Sequence, residues 1–393
     1  MNTWLIKIGK AWAVIRRDGL RRGSRRVWEA LTAFFRPIGS GDILFISGGV
    51  GDSARYRTTH VAEELLLQGF KTSVTVQDHP GLLAALPRFR VFVLHRTLVT
   101  PSLKRFIERA KTLHKELIFE TDDLVYDPAY LVHMDYWHQM NALERKLYER
   151  GVGGEVLADP AVKVATTTTH FLAAKLTERG KKVFVVPNKL SLQDVEWADG
   201  ARTRKQAKQA TSSVVRVGYL SGTPSHNKDF ATITPALIRL FQTYPTMRLV
   251  LAGPLDTESA LNQFSNRIER LPFVPRRELF DSIASLDINL APLEIGNPFC
   301  EAKSELKFFE AGIVGVPTVA AATDTFTRAI SDGVDGLVAA SADEWYDKIS
   351  RLIQDEKLRW AMGEKARETA LARYTTQRSS PTYSAYLYSL ISS

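Results

Sequence analysis

The stretch Asn297–Pro317, NPFCEAKSELKFFEAGIVGVP, carries the side chains best suited to chemistry. With helical spacing over 303–313, Lys303, Lys307 and Glu310 fall within a stripe about 60° wide, and Leu306, Phe309 and Ile313 form a separate apolar stripe for a sheet to cover. Two lysines in the first turns of a helix oppose its dipole, at about 0.3 to 1 kcal/mol each. An anion beside them turns that cost into attraction, and helix amides, Ser304 and two ammonium groups together suit a diphosphate. Two turns on, Glu310 suits the paired hydroxyls of a sugar, whose hydrogen bonds a carboxylate accepts. The same pattern also describes a solvated Lys/Glu face whose i, i+3 pair supports the helix.

A second segment, RVGYLSGTPSHNKDF at 216–230, runs from a β-rich stretch into a turn of Ser, Gly, Thr and Pro. Amides and hydroxyls of Ser221, Gly222 and Thr223 would cluster at a sheet edge, where anions bind. Gly222 permits close backbone approach, and His226 and Lys228 add donors. The plainer reading is a strand-to-helix loop capped by Ser225, with His226 on the surface.

These residues need elements to hold them. After Pro37 short apolar β-rich runs alternate with longer amphipathic stretches, the pattern of parallel sheets covered by helices. Strands are expected at 43–47, 72–76, 90–94, 116–120, 162–166 and 182–186, with a Gly-rich loop after the first and helical spacing from Tyr56 to Leu67. From Pro187 to Ser213 hydrophobic density falls and Arg202, Arg204, Lys205 and Lys208 accumulate, the look of an exposed linker. A second cycle follows, with strands at 214–219, 248–252, 287–290 and 317–321 and helices near 229–243, 276–285, 303–313 and 341–355. A last segment with Tyr383, Leu387, Leu390 and Ile391 at helical spacing should pack on something. Two Rossmann-like domains would place ligands at the carboxyl ends of the strands.

Composition agrees with two globular domains. The chain has 393 residues, 45% apolar and 24% charged, too long for one core of ordinary size. Of the formal +9, residues 1–40 hold nine Lys/Arg against Asp18 and Glu29, a net +7, leaving +2 for the remainder. The basic excess therefore belongs to an appendage, and a nucleic-acid-binding body is not expected. In a helix, Trp4, Ile8, Ala11, Trp12 and Ile15 form one stripe apart from Lys7, Lys10 and Arg17, and Arg21–Arg26 precede Trp28, Leu31, Phe34 and Phe35. That arrangement suits an anionic membrane surface reached through residues 1–36, or packing on the protein's own body. No spanning segment or signal peptide is expected. Cys300 alone closes no internal disulfide, and no Cys/His cluster has zinc spacing, so a reducing, cytoplasmic setting follows.

With these segments described, the chain resembles the GT-B glycosyltransferases, most similarly the retaining family-four type. The resemblance is strongest over 214–322 and extends over about 41–393. In that family the donor helix carries Glu, seven residues, Glu, then Ala, a small residue, Gly, and Pro before a strand; Glu310, Ala311, Gly312, Gly315, Val316 and Pro317 match its second half. The first Glu falls at Ala302, where Glu301 or Lys303 would partly replace it, and the family's phosphate-binding Arg is Tyr219, while Lys228 matches its Lys. SGGVGDSARYRTTHVAEEL (47–65), VFVLHRT and IFETDDLVYD are similar to acceptor-side segments of the family.

The resemblance implies an α/β fold of two Rossmann-like doubly wound domains facing a central cleft. The domain limits would be a basic tail at 1–40, an acceptor-side domain at 41–190, a linker at 191–213, a nucleotide-sugar domain at 214–370, and a final helix at 371–393 packing back on the first domain. Donor contacts are expected from Gly49, Gly51, Ser221, Gly222, Thr223, His226, Lys228, Lys303, Ser304, Lys307 and Glu310, and acceptor-side contacts from Arg57, Arg96 and Asp123. Asp122, His95 and Glu310 are the expected catalytic groups, with no cofactor and no metal. The implied reaction moves a sugar from a nucleotide-diphosphate donor to a glycan or lipid-linked acceptor in cell-surface polysaccharide synthesis. Two rival readings are an NAD-dependent two-domain oxidoreductase and a noncatalytic sugar-nucleotide-binding protein. Gly49-x-Gly51-x-x-Ala54 formally satisfies a dinucleotide fingerprint, though Asp78 stands about 27 residues beyond Gly51 rather than the usual 20 or so, and Ala302 leaves room for a noncatalytic sugar-nucleotide-binding protein.

Overall fold

The computed structural model describes residues 28, 32–135, 137, 140, 145–146, 148–207, 214–222, 226–272 and 274–392. The chain divides into two compact units, each with its own six-stranded parallel sheet. The first takes in the described residues up to Val132, from Trp137 to Lys189, and from Ser379 onward; the second takes in a short stretch from His133 and then Leu190–Arg378.

The first sheet contains β1 (Ile43–Ser47), β2 (Thr72–Val76), β3 (Val91–His95), β4 (Glu116–Thr121), β5 (Val164–Thr167) and β6 (Lys182–Val185), in the order β2-β1-β3-β4-β5-β6. All residues of β1 and β3 are buried, which is why both read as unbroken apolar runs rather than alternating ones. Strand order reverses between β1 and β3, the kind of switch point at whose strand carboxyl ends ligands of such sheets bind. The helix Pro381–Ile391 belongs to this unit, with Tyr383 and Leu387 packed among Ile43, Phe45, Val91 and Ile118. Tyr386 stacks on Phe184 of β6 with ring centroids 5.0 Å apart.

The second sheet contains β7 (Val215–Leu220), β8 (Met247–Ala252), β9 (Ile268–Leu271), β10 (Ile288–Ala291), β11 (Thr318–Ala321) and β12 (Leu337–Ala339), in the order β12-β11-β10-β7-β8-β9. Counted from its own first strand this is the 3-2-1-4-5-6 order of nucleotide-binding sheets, with the reversal between β7 and β10. The strands expected from sequence are all present within two residues of their limits. The short edge strands β9 and β12 were not among them, because three or four residues, charged at Glu269 and Arg270 in β9, give too little pattern.

Two expectations need correction. The region read as an exposed linker contains the helix Leu192–Ala207. Its sequence is poor in large apolar residues because it packs through Ala198 and Ala201 with a buried Asp194. Its cations are used inside the second unit: Arg202 pairs with Glu364 and Arg204 with Asp281, each at 2.7 Å, and Lys205 donates to Leu286 O at 2.6 Å. Lys208 lies outside the described residues. The single helix expected over 303–313 is also interrupted. Asn297 caps an earlier short helix, Pro298–Glu301, which ends at Ala302, and a new one starts after Glu305 and runs over Leu306–Gly312. Lys303 and Ser304 therefore sit in the connecting bend. Among the described residues no helix is long and apolar enough to cross a membrane, and most of the basic tail, including the Trp4–Arg26 stripe, lies outside them.

Candidate active site

At the strand-order reversal of the first sheet, the chain leaves β1 through Gly48–Gly51. Gly48 lies against the backbone that leaves β3, where a Cβ would stand 2.0 Å from Arg96 O. Arg96 has φ 46°, the left-handed region that costs a residue with a Cβ on the order of 1 kcal/mol or more. Ion pairs hold it there: Nε stands 2.7 Å from Asp122 Oδ1 and Nη2 3.3 Å from Asp123 Oδ2. Ser53 Oγ lies within hydrogen-bond reach of both Asp122 oxygens, at 3.0 and 2.8 Å, and 3.1 Å from His95 Nε2. Ser47 Oγ meets His95 Nδ1 at 3.3 Å. Burial alone would raise the Asp122 carboxyl, but the Arg96 charge and the bond to His95 outweigh it and hold Asp122 well below the ordinary carboxylate range. An acid so held is a weak proton acceptor and a durable fixed anion.

The structure thus brings His95, Arg96, Asp122 and Asp123 together and adds Ser53, which sequence reasoning missed; its position two residues past Gly51 was the available signal. Gly49 and Gly51 lie in the open loop: nothing approaches within 4 Å of a Cβ built at either, and Gly51 has φ 134°. Arg57 does not join them. Read as an acceptor-facing residue, it is wholly buried, donating to Glu120 Oε1 and Oε2 at 2.8 and 3.0 Å, to Val186 O at 2.7 Å and to Asn188 Oδ1 at 3.1 Å. The cause is the π-helical turn Arg55–His60, whose wider winding changes which side chains face inward.

At the corresponding reversal of the second sheet, Ser221 and Gly222 follow β7. Gly253 lies beneath them with φ 84°, and a Cβ there would come 1.9 Å from Ser221 O, so the turn requires glycine. Thr223 and Ser225 fall outside the described residues. His226 Nδ1 is 2.8 Å from Asp229 Oδ2, while Asp229 Oδ1 accepts from Cys300 Sγ at 3.0 Å and from Glu294 N at 3.3 Å. Lys307 donates to Leu220 O at the end of β7, and its Nζ stands 4.8 Å from the centre of the Tyr219 ring. Burial, aided by Lys303 and opposed by Glu310 and Asp229, brings the Lys307 ammonium down to about 8. Lys228 is exposed, 3.7 Å from Asp135.

Glu310 is buried and paired with Arg276, whose Nε and Nη2 are held by Asp194 at 3.0 and 3.1 Å. Neither partner was legible from the motif, since one comes from the helix Arg276–Ala284 and the other from the misread linker. Glu301, a candidate replacement for the family's first Glu, accepts instead from Gly296 N at 3.0 Å and Asp324 N at 3.3 Å, and Ala302 is buried. So Ser221, Gly222, His226, Lys307 and Glu310 lie on the elements around this reversal, with Lys303 and Ser304 in the bend leading to Lys307. Among the described residues no three His, Cys, Asp or Glu side chains come together as metal ligands would.

Residues 234–382 match the family described as Glycosyl transferase-like. No curated protein matches the chain. Among solved structures the chain is similar to HepE of Anabaena in complex with UDP and glucose, at 14% identity and TM-score 0.56 over 90% of this chain and 99% of that one. It is similar to sucrose-phosphate synthase of Thermosynechococcus elongatus at 12% identity and TM-score 0.59, over 89% and 99%. A glycosyltransferase of Rickettsia africae aligns at 12% identity and TM-score 0.59, over 90% and 99%. Identities this low establish the fold. The chain has the two-domain GT-B fold of these structures, and its residues 234–382 match the glycosyl transferase-like family.

Proposed function

We propose that the protein transfers a sugar, with retention of configuration, from a nucleotide-diphosphate donor to a glycan or lipid-linked acceptor in cell-surface polysaccharide synthesis. The observation that carries the donor reading is Lys307, half-buried at the end of β7 and making no ion pair among the described residues. A desolvated ammonium without a contacting carboxylate favours binding of an anion. The HepE structures with UDP and with UDP-glucose support a nucleotide-sugar donor for this fold. In this reading Lys303, Lys307, Lys228 and His226, with the amides and hydroxyls of Ser221, Gly222, Thr223 and Ser304, receive the diphosphate. Glu310, held by Arg276, accepts the ribose hydroxyls.

Departure of the nucleoside diphosphate builds negative charge where these cations already stand, so stabilisation is largely electrostatic and needs no protein-bound metal. On the acceptor side, Asp122 serves as a fixed anion orienting a hydroxyl through Ser53 and His95, in keeping with its depressed proton affinity. Arg96 and Asp123 shape that rim, and Gly49 and Gly51 leave open backbone beside it. We place the protein on the cytoplasmic face of an anionic membrane, held by residues 1–36; Trp28 and Phe35, exposed at 66% and 70%, are the described part of that surface. The test is a screen of nucleotide sugars with acceptor extract, the anomeric configuration of the product being read by NMR. Transfer with retained configuration is expected. An inverted product overturns retention, and absence of turnover with every donor overturns the reaction. Anionic-vesicle sedimentation of the 37–393 chain should fall well below that of the full chain, and equal binding overturns the tail's role.

A further inference from the structure

Asp229 is a buried carboxylate that the donor reading leaves unused. It sits on the short helix Asn227–Ala231, 4% exposed, and all its described contacts serve to fix it: His226 Nδ1 and Cys300 Sγ from side chains, Glu294 N from the backbone. The packing of Phe230 against Tyr219, ring centroids 5.4 Å apart, anchors the same helix to β7. A carboxylate on Nδ1 fixes the imidazole's orientation and tautomer and leaves Nε2, on the other edge of the ring, as the nitrogen that meets a ligand. The charges acting on His226 are Asp229 from its own helix and Lys303 and Lys307 from the bend and helix that follow Pro298–Glu301. Glu294 N and Cys300 Sγ contact Asp229, and Lys228, two residues on from His226, stands 3.7 Å from Asp135.

We propose that Asp229 is a positioning residue: it holds His226 so that a diphosphate bound beside Lys303 and Lys307 is met by an imidazolium, and donor binding takes up a proton at His226. The inference rests on the donor reading above. Without donor, burial and the two lysines lower the proton affinity of His226 below its ordinary value, with the Asp229 hydrogen bond opposing them. A bound diphosphate cancels the lysine charges, and the proton that His226 lacked becomes favourable, shared between Asp229 on one nitrogen and a phosphate oxygen on the other. Because the bound state then holds the proton more tightly, affinity is highest at low pH and is lost as pH rises through the histidine range.

Calorimetric titration with the tightest binder among UDP-glucose, GDP-mannose, dTDP-glucose and ADP-glucose tests this. The diphosphate of a nucleotide sugar is a diester at both ends and does not itself titrate near neutrality. Wild type should bind about tenfold more tightly at pH 6 than at pH 8, the equivalent of one unit of histidine shift, and should take up a fraction of a proton at pH 7 when buffers of different ionisation enthalpy are compared. Asp229→Asn and His226→Gln should both flatten the pH profile and abolish the uptake, with folding checked by thermal denaturation. Equal weakening of Asp229→Asn at every pH with uptake intact makes Asp229 merely structural and overturns the proposal, as does tight wild-type binding without uptake. Failure of all four nucleotide sugars to bind wild type overturns the donor reading, and the proposal with it.

Discussion

The strand-order reversals of the two sheets have opposite electrostatic designs. In the first unit the acids Asp122 and Asp123 already have Arg96, His95 and Ser53 around them, and the left-handed Arg96 is fixed by those same acids. In the second, the lysine at the end of β7 faces a carbonyl and an aromatic ring, and burial has lowered its proton affinity. A cluster complete with its own counter-ions presents fixed dipoles and suits a neutral hydroxyl. A cation held in deficit suits an anion that arrives from outside. The turns share one device, a glycine that lets two loop backbones touch, Gly48 against Arg96 and Gly253 against Ser221.

Substitutions sharpen this contrast, and the largest effect is expected where the charges are wholly internal. Arg57→Met leaves Glu120 buried without its bidentate partner, a loss of about 3 to 5 kcal/mol. Thermal denaturation of the variant should show a midpoint lower by on the order of 10 °C. An unchanged midpoint breaks the view that this pair is structural.

Glu310→Gln comes next. In the proposed donor reading it removes a charge-assisted bond to the ribose, so donor affinity should fall about 10- to 100-fold while Arg276 keeps its bond to Asp194. Isothermal titration reads this directly, and affinity within twofold of wild type returns Glu310 to a purely structural pairing. Ser53→Ala is the mildest. Losing one neutral hydroxyl between His95 and Asp122 should raise the acceptor KM about 2- to 10-fold with donor affinity unchanged; a fall in donor affinity instead contradicts the division of labour between the two reversals.

Much of this architecture was legible in the sequence, and what was missed has physical causes. Strands buried on both faces announce themselves as apolar runs, so β1 and β3 were placed within a residue. The helix Leu192–Ala207 was hidden because a small-residue packing face with ion-paired charges resembles a polar linker. Lys303 was misplaced because spacing alone does not reveal that Asn297 starts a helix too early to continue through Ala302. Arg57 was misread because a π-turn leaves no mark in hydrophobic periodicity. Lys303, Lys307 and Glu310 were picked out by residue type and spacing, whereas the neighbours of Glu310 were not: Arg276 reaches it from 34 positions away and Asp194 reaches Arg276 from 82, and only the fold brings them together.

In the proposed donor reading, Lys307 is kept destabilised in the free protein so that a donor's diphosphate can use it. Titration of wild type and Lys307→Met with nucleotide sugars, combined with thermal denaturation from pH 7 to pH 10, tests it most directly. Because the folded-state value of about 8 lies below the unfolded 10.5, wild type should gain stability from this group as pH rises above 8, and the variant should lack that increment. The variant should be at least as stable as wild type at pH 7, with donor affinity lower by about 10- to 150-fold, the scale of a charge-assisted contact to phosphate. A Lys307→Met protein that unfolds more readily at pH 7 yet binds the donor as wild type does would contradict it.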